Sequence, residues 1–189
     1  MSDYAFAIPF PLTSLAVSNQ ISPALWGTKI RDKSGNEFQM VLVRGSTVAT
    51  FHGGGAFWHL ASNVLTGYTV TPDVSQGTSL QEPAGIFMMS LSAAQVNAGT
   101  RLAWVLKKGN PATAGLRAIV TNGTVAAGDY LCMSASDGRF KGVNASASLS
   151  SAVGLRNRNA KLSIFSPSAD GATSLITSTR IGAVRVNCQ

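Results

Sequence analysis

The chain has 189 residues, of which 45% are hydrophobic and only 12% charged, and its net charge is +7. An average soluble domain carries about 25% charged residues, so this low share predicts apolar surface that another chain covers. No run approaches the ~18 uncharged apolar residues of a membrane helix, and the opening MSDYAFAIPFPLTSLAV lacks the basic start and unbroken apolar core of a signal peptide. The expectation is a soluble protein folded in a cytoplasm.

Residues 1–24 read as an extended arm. Prolines 9, 11 and 23 deny a helix its hydrogen bonds and push their predecessors into extended geometry. Phe6, Ile8, Phe10 and Leu12 alternate with proline or smaller residues, so one side of the arm is apolar. That side either packs on its own domain or contacts a neighbouring subunit, and these four residues are the candidate partner contact.

From Trp26 onward the punctuation is that of an all-β domain spanning 25–189, with short apolar runs between glycine-containing turns. KIRDKSGNEFQMVLV (29–43) predicts strand, turn, strand, with Phe38, Met40 and Leu42 on one face and Gln39, Val41 and Val43 on the other. STVATF (46–51) predicts a further strand. In HGGGAF the three glycines predict an irregular segment and close approach of backbones. The polar stretch 66–97 reads as a long connection that is functional or ordered by a partner. At its end, SLSAAQVNAG (90–99) predicts one short helix, capped by serine and ended at Gly99. Strands are then expected in 98–110, 114–123, 129–136 and 180–187. Strands recurring every ten residues or so predict a β-barrel or a jelly-roll-like β-sandwich.

Charge divides unevenly along the chain. Residues 1–100 hold four basic and five acidic side chains, for −1, whereas residues 101–189 hold eleven basic and three acidic, for +8. Lys107 and Lys108, with Arg156, Arg158 and Lys161, are the only basic clusters and form a candidate contact surface. No KH, RRM or zinc-finger pattern accompanies them, which disfavours nucleic acid as the partner.

Reactive groups are sparse. His52 and His59 flank GGGAFW at a spacing that matches no common zinc pattern. Asp32, Asp129, Asp137 and Asp170 sit at turns, where aspartate bonds its own backbone. Cys132 and Cys188 lie far apart without a CxxC pair and read as buried thiols, with a disulfide as the lesser alternative. The triple glycine lacks the lysine and the strand-helix context of a phosphate loop. Trp26, Trp58 and Trp104 read as core anchors. No catalytic group, metal site or cofactor is expected.

The series LWGTKIRDKSGNEFQMVLV, NVLTGYTVTPD, EPAGIFMMSLSAAQVNAGTRLAWVLKKG, GTVAAGDYLCMSASDGRFKG and SAVGLRNRN, in that order, resembles the head-decoration or cement proteins of tailed bacteriophages over roughly residues 25–160. The resemblance implies a virion structural protein that sits across joints between major capsid protein subunits and stabilises the head. It further implies a homotrimer that joins the capsid in the host cytoplasm and is not an enzyme. Two other readings compete: a host-recognition or carbohydrate-binding module of a virion fibre, with Trp58 and His59 at its site, and a basic nucleic-acid-binding barrel.

Overall fold

The computed structural model describes residues 9–46, 48–61, 64–73, 83–110, 114, 119–120, 130–133, 137–143, 175–176 and 186–187. In chain order the elements are β1 (Ala16–Val17), β2 (Lys29–Arg31), β3 (Glu37–Val43), β4 (Gly55–Ala61), β5 (Val64–Thr71), β6 (Pro83–Phe87), α1 (Ala93–Asn97) and β7 (Arg101–Gly109). Five short strands follow: β8 (Ile119–Val120), β9 (Tyr130–Met133), β10 (Phe140–Val143), β11 (Leu175–Ile176) and β12 (Val186–Asn187).

Five strands close into a barrel, in the order β7, β6, β4, β5, β3 and back to β7. Every pairing is antiparallel except β3 with β5, where Leu42 faces Thr69 and Val43 faces Val70. The closing seam is the longest ladder, running from Glu37 against Lys108 to Val43 against Arg101. Closure removes the open edges that would otherwise invite another chain. Of the two architectures expected from sequence, the chain adopts the barrel.

β3 and β7 are buried on both faces, which is why each reads as a nearly continuous apolar run. All five barrel strands contribute to one cluster: Val41 and Val43, Ala56 and Trp58, Val70, Ala84 and Phe87, Ala103 and Val105. This cluster therefore fills the barrel. Small Val and Ala side chains predominate because five strands enclose little space. Leu91 and Val96 join the same cluster from the segment that carries α1, so the helix stops one end of the barrel.

Phe38, Met40 and Leu42 of β3 and Leu102, Trp104 and Leu106 of β7 face the other way. They form a second cluster with Phe10, Ala16, Ile86, Met88 and Phe140. The outer face of the barrel is thus covered by the chain's own N-terminal segment. Ala16 and Val17 pair with Leu102 and Arg101, on the edge of β7 that β6 leaves free. The described part of the N-terminal segment, from residue 9 on, thus packs on its own domain, one of the two placements expected for it.

Turns follow the residue chemistry. In the β2–β3 turn Gly35 takes φ +80°, and Asp32 accepts hydrogen bonds from the Asn36 backbone (2.8 Å) and side chain (2.7 Å). Asn36 in turn accepts from the Asn110 amide at 2.9 Å, tying the turn to the end of β7. At α1, Ser92 caps the Gln95 amide while the Gln95 side chain accepts from the Ser92 amide, the reciprocal arrangement of a capping box.

Three expectations fail, and one is the irregular HGGGAF segment, since Gly55, Ala56 and Phe57 already belong to β4. The described residues of 46–51 form no strand, and among them Thr50 makes a bridge, to Leu91. Val48 and Thr50 favour extended backbone, but among the described residues this stretch pairs with no neighbouring strand. The stretch 66–97 is not one long connection, since it holds the second part of β5, all of β6, and α1.

Candidate functional site

Among the described residues, groups singled out in the sequence meet as Phe10 with Trp104 and as Lys107 with Trp58. Phe10 is 8% exposed; its ring lies 5.6 Å from that of Trp104, and its carbonyl accepts the Trp104 indole N–H at 3.2 Å. Leu12 packs against the same cluster. Both are engaged within the chain, whereas Phe6 and Ile8 lie outside the described residues.

Lys107 corrects the sequence reading of a basic surface. Alternation along β7 turns it opposite to exposed Lys108 and into the protein, where it is 6% exposed. Its Nζ lies 5.2 Å from the centre of the Trp58 ring, a cation–π contact that helps offset the loss of water around the ammonium. Lys108 keeps its place on the surface, and Arg156, Arg158 and Lys161 lie outside the described residues.

Trp58 and Trp104 are core anchors, at 5% and 0% exposure, and Trp26 is half-buried with its ring edge toward Tyr68. The glycine run works by steric allowance. Gly55 donates to the Gly138 carbonyl at 2.9 Å, Phe87 donates to that of Gly54 at 2.8 Å, and a Cβ on Gly54 would stand 2.9 Å from the Gly138 oxygen. The run lets the tip of the β9–β10 hairpin sit against β4. His52 contributes its backbone N–H to the Ser90 hydroxyl at 2.8 Å. Of the turn aspartates, Asp32 does bond its local backbone, Asp137 occupies a turn, and Asp129 and Asp170 lie outside the described residues. Cys132 lies in β9 opposite Lys141 of β10, and Cys188 is outside the described residues.

One concave feature gathers polar groups. At the end of the barrel stopped by α1, an open depression of about 400 Å³ is lined by Arg44, Gly45, His59, Asn97, Ala98, Gly99 and Thr100. Arg44 and Gly45 directly follow β3, His59 lies on β4, and residues 97–100 form the end of α1 and its exit into β7. Gly99 takes φ +62°, and the Arg44 stem passes against it, with Cγ 3.4 Å from where a Cβ would stand. Arg44 is exposed and makes no ion pair among the described residues. His59 is half-buried, and its Nδ1 is buried without a hydrogen-bond partner, an arrangement that costs about 1–3 kcal/mol. Behind Gly45 lies Asp73, 1% exposed, whose carboxylate accepts from the Ser46 hydroxyl and amide.

The lining supplies one fixed positive charge and several uncharged hydrogen-bonding groups. Beside Arg44 and His59 the lining holds no ionisable side chain. Among the described residues no three His, Cys, Asp or Glu side chains stand together to hold a metal ion. Nor is any described helix long and apolar enough to cross a membrane. Arg44 went unnoticed in the sequence, where it is a single charge after an apolar strand.

No protein-family model and no curated protein matches the chain.

Proposed function

We propose that the protein is a capsid cement or decoration protein of a tailed bacteriophage, binding as a homotrimer across joints between major capsid protein subunits and stabilising the head. The observation that carries this reading is the ordered motif series resembling that family, together with where its members fall. LWGTKIRDKSGNEFQMVLV covers β2, its turn and β3; EPAGIFMMSLSAAQVNAGTRLAWVLKKG covers β6, α1 and β7; GTVAAGDYLCMSASDGRFKG covers β9 and β10. Within the described residues these three motifs consist of strands, turns and one short helix that build the scaffold.

The physics of the barrel is compatible with such a role. A protein that works by adhesion needs a scaffold that holds its shape, and here β3 and β7 are buried on both faces. Repetition over a shell lets modest contacts combine. With Phe10 and Leu12 committed to the barrel, the arm's contact with a capsid neighbour falls to Phe6 and Ile8. Lys108, Arg156, Arg158 and Lys161 supply the basic contact, where complementary charge steers association. The glycan-binding reading loses its platform, because Trp58 is buried.

The test is reconstitution. Purified full-length protein, added to expanded heads that lack it, should cosediment with saturation and raise the temperature at which the heads release DNA. Light scattering should give the mass of a trimer. Heads that bind nothing at saturating protein would sink the proposal.

A further inference from the structure

We infer that the depression at the α1 end of the barrel is a binding site for a carboxylate, with Arg44 as its anchoring charge and His59 as a second donor. The case starts from an unmet demand. Arg44 carries a permanent charge, is exposed, and has no ion-pair partner among the described residues. A guanidinium presents a planar fork of N–H donors that matches the two oxygens of a carboxylate.

Position is the second part of the argument. The Arg44 stem is supported along Gly99, whose Cβ position lies 3.4 Å from Cγ, 3.7 Å from Nε and 3.8 Å from Cδ of Arg44. That support limits the freedom that an arginine on open surface would lose on binding. His59 lines the same depression from β4. Its Nδ1 is buried, whereas Nε2 is neither among the buried unsatisfied atoms nor hydrogen-bonded, so Nε2 is the nitrogen open to a ligand. Thr100 and Asn97 line the same depression. No lining residue is acidic, and the nearby Asp73 carboxylate is turned to Ser46.

Charge count selects the ligand class. One fixed positive charge balances a monoanion and leaves a phosphate dianion under-neutralised. A cation would meet Arg44 as a like charge. The carboxylate belongs either to a small free acid or to an Asp or Glu side chain of a neighbouring protein, since the depression is open enough to admit both. This inference does not depend on the capsid reading: carboxylate binding is measured on the isolated protein, and a failure to bind heads leaves it standing.

The experiment follows the His59 imidazole by nitrogen-detected NMR of the full-length protein. The probes are sodium acetate, sodium chloride, inorganic phosphate, and a capped peptide carrying one Asp, with its Asn version as control. Acetate and the Asp peptide should shift the His59 signals saturably, with affinity in the millimolar range expected of one charged contact, while chloride and the Asn peptide should not. Arg44→Gln should weaken this response about tenfold and Arg44→Lys should restore part of it, with Lys29→Gln, on the exposed surface of β2, leaving it unchanged. Tighter binding of the Asp peptide than of acetate assigns the site to a protein side chain, and equal binding assigns it to a free acid. The inference is overturned if neither carboxylate gives a saturable shift, if Arg44→Gln responds like the parent, or if phosphate binds more tightly than acetate.

Discussion

Trp104, in the middle of β7, donates its indole N–H to the carbonyl of Phe10 at 3.2 Å, and the two rings lie 5.6 Å apart. A residue near the start of the chain is thereby locked to the strand that closes the barrel. Phe10→Ala removes a buried aromatic and should cost about 3 kcal/mol, read as a fall in melting temperature of about 10 °C. A chain lacking residues 2–8 keeps Phe10, Leu12 and the β1 pairing. A chain lacking residues 2–24 loses β1 and Phe10 together and should be less stable than Phe10→Ala; equal stability would show that the segment is dispensable to the barrel.

Adjacent lysines provide an internal control. Lys107→Ala should lose about 2 kcal/mol because its ammonium lies over Trp58 in a desolvated setting. Lys108→Ala, on the exposed side of the same strand, should stay within about 0.5 kcal/mol of the parent. Paired urea titrations, with Trp fluorescence as the signal, would separate the two.

Two glycines are needed for different reasons. A Cβ on Gly85 would stand 2.6 Å from the Leu106 carbonyl oxygen and 3.1 Å from the Val105 Cβ, so Gly85→Ala must push β6 away from β7, at about 3 kcal/mol. Gly35 has open space around it but takes φ +80°, so Gly35→Ala costs only the left-handed backbone penalty of about 1 kcal/mol. Denaturant midpoints in that order would support these assignments, and the reverse order would refute them.

Ser92 controls the helix that stops the barrel. Ser92→Ala removes the acceptor for the Gln95 amide and should cost about 1 kcal/mol, whereas Ser92→Gly should cost a few tenths. Hydrogen exchange at the Val96 amide, which donates to the Ser92 carbonyl at 3.0 Å, should accelerate in the alanine variant and change little in the glycine variant.

What was legible in the sequence was what depends on near neighbours. The β2–β3 hairpin, the Ser92 cap and the end of α1 at Gly99 all follow from residue types within a few positions of each other. Strand β7 was legible because both its faces are apolar. Strand β6 was not: PAGIF carries a proline and a glycine, and the use of Gly85 becomes apparent only once the Leu106 backbone lies beside it. The inward turn of Lys107 likewise depends on Trp58, brought close by the ring of strands. The depression had no local signature, because Arg44, His59 and Thr100 come from three elements that meet only when the barrel closes.

The β3–β7 seam also sets an order of events during synthesis. Phe38 has to wait for Leu106, and Met40 for Trp104, so a nascent chain can form hairpins early but cannot seal its cylinder until β7 has left the ribosome. Contacts this distant in sequence slow folding, because a long loop must be closed before they contribute. Until then the apolar faces of β3 stand open to other chains, and the interval between translating β3 and β7 is when this protein is most exposed to aggregation.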